Sequence, residues 1–209
     1  MKAFVVMGRI LKATYEDLFL CVFLSVAWWI GMIPIVTMPM VIMGMHNACN
    51  QLANYRRVDN GFFWDGAKTN IGKGWILFLI SLLVPVAIIF NIWFYLNSEG
   101  WISFIGFAWF WLLLLVLTTG QYLFPLIWQQ DEPDVRLALR NSVLLALRHP
   151  IYSFLMLIFQ IVLLAISAGL TLPLVLLYPG MIALTQNFAL AGILQEMGLA
   201  PQPPEIPAR

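Results

Sequence analysis

Charge is what this sequence has least of. Asp, Glu, Lys and Arg make up only 10% of its 209 residues, where a soluble domain carries roughly 25%. So few charges cannot cover a soluble surface. The 11 basic and 10 acidic residues leave a net charge of +1, with no basic face concentrated enough for nucleic acid. Cysteine is nearly missing. Cys21 and Cys49 lie in apolar surroundings and read as small buried hydrophobes, which excludes a disulfide scaffold. Catalytic signatures are missing too. There is no H-E-x-x-H, G-x-S-x-G, phosphate-binding loop or Cys-x-x-Cys, so no enzymatic activity is expected. No cleavable signal peptide is expected either, since Met1 to Tyr15 holds no long apolar core and no small-residue cleavage site.

What remains is apolar. Hydrophobic residues reach 62% and the mean hydropathy is +0.88, which excludes disorder and points to an all-α polytopic membrane bundle. A single membrane domain is expected over residues 1–197, with a mobile Pro-rich tail, 198–209, behind it. Six spans are expected at about 18–33, 38–55, 74–96, 101–128, 151–168 and 172–194, paired as three hairpins. Pro34 and Pro39 break the first apolar run twice, and Thr37 suits a cap for a helix restarting at Met38 or Pro39. Three basic, amphipathic stretches, near 3–15, 62–74 and 133–148, read as interfacial helices.

The basic residues sort themselves. Lys2, Arg9 and Lys12 precede the first span. Arg56, Arg57, Lys68 and Lys73 lie between the second and third. Arg136, Arg140 and Arg148 lie between the fourth and fifth, and Arg209 is last. All eleven therefore fall on one side, which the positive-inside rule makes cytoplasmic, with both termini. A flat 38–55 segment would instead leave five spans and put the Arg136 cluster outside.

The stretch Trp29-Ile30-Gly31-Met32-Ile33-Pro34-Ile35-Val36-Thr37 resembles the early motif of the YesL-like family, a bacterial multi-pass membrane domain of unknown function. Phe62-Phe63-Trp64 through Asn70 is similar to that family's segment before the next span, as is Ala138-Leu139-Arg140-Asn141 through Arg148-His149-Pro150. The resemblance implies a bacterial cytoplasmic-membrane protein associated with carbohydrate uptake. It implies no set of functional residues.

Candidate chemistry is confined to neutral polar groups. Helix 38–55 carries His46, Asn47, Asn50 and Asn54 on one side, as the wall of a polar cavity or as cross-links to other helices. Asn91, Gln121 and Gln160 are each surrounded by apolar residues, with Gln186 and Asn187 in the last span. No ionisable Asp, Glu, Lys or Arg lies at mid-depth, which argues against carboxylate-coupled pumping. Met38, Met40, Met43 and Met45 beside His46 and Cys49 could suit Cu(I), but they divide between two helix faces, so Met-filled packing is expected and no metal. No cofactor is expected.

These readings give a leading expectation of a non-catalytic accessory or assembly component. Its partners would be the lipid bilayer and other membrane proteins, such as a transporter complex. The alternative is a channel or facilitator for a small neutral solute. A third reading is a haem- or pigment-binding subunit through His46 or His149.

Overall fold

The computed structural model describes residues 2–203, and among them helices are the only regular structure. In chain order they are α1 (Lys2–Glu16), α2 (Leu18–Met32), α3 (Met38–Ala53), α4 (Asn60–Lys68), α5 (Ile71–Leu96), α6 (Ile105–Gly120), α7 (Leu123–Ile127), α8 (Val135–Arg148), α9 (Pro150–Leu170), α10 (Leu172–Leu176) and α11 (Tyr178–Glu196). A 3-10 turn, Gly100–Phe104, leads into α6. Three stretches are long and apolar enough to cross a membrane, namely Ile71–Leu96, Gly100–Ile127 and Pro150–Leu170. The last six residues of the expected tail lie outside the described residues.

Length and composition separate two kinds of helix. α5, α6 and α9 are apolar on every side and expose large side chains such as Phe90, Trp93, Phe107 and Trp111. That pattern suits contact with lipid. α3 and α11 are less apolar and far more buried. Residues 43–50 of α3 are all buried, as are twelve residues of α11. A helix enclosed by other helices has protein partners for its polar groups, so it tolerates Asn, Gln and Thr. Both are therefore less apolar than the lipid-facing helices, although they occupy the centre.

The two ends of the described chain meet. α1 packs on α11, with Lys2 Nζ 2.7 Å from Glu196 Oε1 and Arg9 Nη1 donating to Gln195 Oε1 at 3.3 Å. The backbone hydrogen bonds Asp17 N to Ala13 O and Cys21 N to Asp17 O continue the helical pattern across the α1–α2 junction. α2 therefore follows α1 directly, divided from it only by Asp17, whose backbone (φ −110°, ψ 40°) leaves helical geometry. Further along, Gly180 lets α11 touch α2. A Cβ there would lie 2.6 Å from the Cys21 carbonyl oxygen, and the Gly180 N–H donates to Ser25 Oγ at 3.0 Å.

Residues 33–37 reverse the chain. Val41 packs on Gly31, ten residues away, a separation of about 15 Å had the helix continued. The return path beyond α3 differs from a simple span followed by a loop. α4 folds back along α3: a Cβ on Gly66 would stand 3.0 Å from Gly44 Cα, and one on Gly44 would stand 2.5 Å from the Phe63 carbonyl oxygen. Asp59 starts α4 by accepting from the Gly61 and Phe62 N–H groups. α5 consequently begins beside the first turns of α3, with Gly74 against Met43 and the Pro39 carbonyl.

Two expected spans are broken. The 101–128 segment stops being helical at Gly120 and restarts as α7, whose Pro125 has no N–H to donate. The 172–194 segment breaks at Leu177 (φ −127°, ψ −37°), two residues before Pro179 at the start of α11.

Candidate functional site

A half-open cavity of about 710 Å³ cuts into the bundle, walled by residues of α2, α3, α5, α6, α7, α8, α9, α10 and α11. Its lining holds no Asp, Glu, Lys or Arg. The walls are mostly apolar, and His46, Gln121, Gln160 and Gln186 are among the few polar groups on them. Few polar groups on an apolar concave surface are the usual makings of a small-molecule site, and the volume falls within the usual range of about 300–1,000 Å³.

One side is a ladder of amides. Gln186 Nε2 donates to Gln160 Oε1 at 3.2 Å, and Gln160 Nε2 donates to Gln121 Oε1 at 2.8 Å. Gln121 Nε2 then donates to the carbonyl oxygens of Thr118 (2.8 Å) and Ser153 (3.0 Å). Alongside, Tyr122 Oη and Ser153 Oγ share a hydrogen bond of 2.8 Å. The ladder ties α11 to α9 and α9 to the end of α6. Gln121 and Gln160 are thus satisfied by protein, and Gln186, half-buried at the end, keeps its own carbonyl oxygen and one N–H for the cavity.

The other side is His46. Asn187 Nδ2 lies 2.9 Å from His46 Nδ1 and also donates to the Ala183 carbonyl at 2.7 Å. An amide turned the other way would set two oxygens against each other at Ala183, so the NH2 group faces the imidazole. His46 Nδ1 must then accept, and the ring proton sits on Nε2. Among the described residues Nε2 has no partner. The imidazole stacks on Phe124, with centroids 5.2 Å apart and planes at 11°. In this tautomer Nε2 offers a donor and no lone pair, which sets it against axial ligation of haem.

The seven residues singled out in the sequence divide. His46, Gln121 and Gln160 line the cavity. Asn50 and Asn54 lie elsewhere, in a second depression of about 270 Å³ with Gln51, Arg56 and Asp131, where Asn54 Nδ2 donates to Asn50. Asn47 serves α4, donating from Nδ2 to the Phe62 carbonyl at 2.8 Å. Asn91 is half-buried and donates to the Ala87 carbonyl of its own helix at 2.7 Å. Gln186, Asn187, Ser81 and Ser142 complete the picture. The first two were noticed as polar in the last span, but helical spacing alone does not say which residues meet across helices. His149, the other histidine, leaves Nε2 buried without a partner at the start of α9. Among the described residues no group of three or more His, Cys, Asp or Glu is placed to hold a metal ion.

No family model matches the chain, and no curated protein and no solved structure matches it either.

Proposed function

We propose that this chain is a polytopic protein of a cytoplasmic membrane that binds a small neutral molecule inside its helix bundle and performs no catalysis. The observation that carries this reading is a large cavity with no fixed charge on its walls. A charged ligand would lose its hydration there without compensation, whereas a neutral one matches the lining. The same site is the natural resting place for a facilitated solute.

The topology follows from the basic residues. α5, the 100–127 segment, α9 and the 172–194 segment cross the bilayer, with all eleven Lys and Arg facing the cytoplasm. The α2–α3 pair completes six apolar segments. A pair that crosses fully and a pair that turns back inside the bilayer both return the chain to the side it left, so the charge partition holds for either. The docking of Gly74 beside Pro39 and the 15- and 16-residue lengths of α2 and α3 favour the pair that turns back. Those lengths rise only about 22–24 Å, against a core of about 30 Å.

Gly120 provides the test. It lines the cavity, and a Cβ there meets nothing within 4 Å. Protein purified in mild detergent should carry a neutral small molecule detectable by mass spectrometry of an organic extract. The Gly120→Phe variant should fold and lose it. Equal recovery from both would sink the reading.

A role as an accessory component of a larger membrane assembly is the second reading. It is favoured by the exposed aromatic faces of α5 and α6, which partner helices could cover as lipid does. Proteins that copurify from native membrane would support it.

A further inference from the structure

The polar groups of the cavity do more than exclude charge; they have a direction. Nδ1 of His46 is committed as an acceptor to Asn187, and Asn187 is itself held by Ala183. The proton on Nε2 is therefore fixed by Asn187, which does not line the cavity. His46 is 5% exposed, and that small exposure opens on the cavity. The structure thus offers the cavity an N–H donor with no partner among the described residues, on a lining that is mostly apolar and aromatic. Trp28, Trp29, Phe124 and Tyr178 all contribute ring surface to the same void. A ligand that covers this donor without supplying an acceptor leaves it unmade, so a ligand that brings an acceptor is selected over one that does not.

We infer that the cavity binds a neutral, lipid-soluble ring compound bearing a carbonyl oxygen, that the oxygen accepts from His46 Nε2, and that the ring lies among the aromatic walls. This rests on the neutral-ligand reading above and narrows it to a chemical class. Flat rings suit aromatic surfaces through offset and edge contacts. The Gln186 amide, the free end of the glutamine ladder, supplies a second polar contact from the opposite helix. A cationic ring is disfavoured, because the lining has no anion to offer.

Duroquinone and durene make the test. They share a ring and four methyl groups, and only duroquinone has carbonyl oxygens. Its ring has no open position for thiol addition, so Cys21 and Cys49 do not complicate the result. Binding to the purified full chain in detergent would be followed by calorimetry, with partition into empty micelles subtracted. Duroquinone should bind about tenfold tighter than durene, the worth of one hydrogen bond. His46→Phe keeps the stack on Phe124 and should erase the difference, and Gly120→Phe should abolish both. Equal binding of the two compounds to the wild type, blocked by Gly120→Phe, would overturn the carbonyl assignment and leave the cavity reading standing. Binding of either compound that Gly120→Phe does not disturb would overturn both. The wild-type comparison needs no variant to fold, so it decides the assignment even if His46→Phe is unstable.

Discussion

Gln160 Nε2 reaches Gln121 Oε1 over 2.8 Å, joining α9 to the end of α6 beside the buried bond from Gln121 Nε2 to the Ser153 carbonyl. The bond is the middle rung of a ladder whose outer rung, Gln186, faces the cavity. Structural and ligand-facing duties are therefore divided between neighbouring residues, and the division can be measured.

Replacing Gln160 by Leu strands the Gln121 carbonyl oxygen and releases Gln186. Thermal unfolding in detergent should show a loss of about 1–3 kcal/mol, the cost of a buried polar group left without its partner. Gln186→Leu removes only the cavity end and should cost less, at or below the ~0.6 kcal/mol typical of interhelical bonds in membranes. Equal losses would contradict the division.

The α3–α4 crossing depends on two missing side chains. A Cβ on Gly44 would stand 2.5 Å from the Phe63 carbonyl oxygen, a backbone atom that cannot swing aside. Gly44→Ala should therefore destabilise by about 1–3 kcal/mol, as overpacking does. Limited proteolysis between residues 54 and 70 should become faster, because α4 is the element displaced. Gly72→Ala, with nothing within 4 Å of its Cβ, is the control and should leave proteolysis unchanged.

Topology is open to cysteine labelling. A cysteine at Ser98, in the short connection after α5, should react with an impermeant thiol reagent from outside the cell, and one at Asn60 should not. Labelling at Asn60 would refute the proposed orientation. A cysteine at Ile35 then separates the two forms of the α2–α3 pair, since it reacts from outside only if the pair crosses fully.

Acid should loosen the α1–α11 contact. The Lys2 ammonium, bonded to the Glu196 carboxylate, holds that carboxyl below its usual value of 4.5. A carboxyl whose pKa is depressed by folding stabilises the fold above its unfolded value, and the contribution is lost as pH falls through the folded value. The unfolding temperature should thus fall below about pH 4.5, the usual carboxyl range. The pair is exposed, so the slope is small. Lys2→Met should flatten it, and an unchanged acid limb in that variant would refute the assignment.

Much of the helical framework was legible in the sequence because its signals are local. Pro34 and Pro39 bracket the turn, Met38 starts α3, and Pro150 separates α8 from α9, while α8 itself starts at Val135 under Asp134, two residues later than the expected 133. The length of 101–128 already suggests a bend near Gly120 or Pro125, and the helix does break at Gln121. The break at Leu177 was not legible, because apolar composition runs straight through it and only packing decides that the helix stops. The same holds for the candidate site. His46, Gln121 and Gln160 could be marked as polar groups in apolar surroundings. That His46 meets Asn187, 141 residues away, while Asn91 turns back on its own helix, is decided by how the helices rotate against one another. Spacing along one helix carries no record of that rotation.

Pro85 lies inside α5 without an N–H, so the Ser81 carbonyl four residues earlier has lost its helical donor. Ser81 and Pro85 both line the cavity, and the Ser81 hydroxyl is already donated to the Phe78 carbonyl at 3.0 Å. An apolar side chain grown into the void over that carbonyl would seal it away from every donor. Closing the space there would therefore carry a penalty set by the backbone and not by side-chain packing.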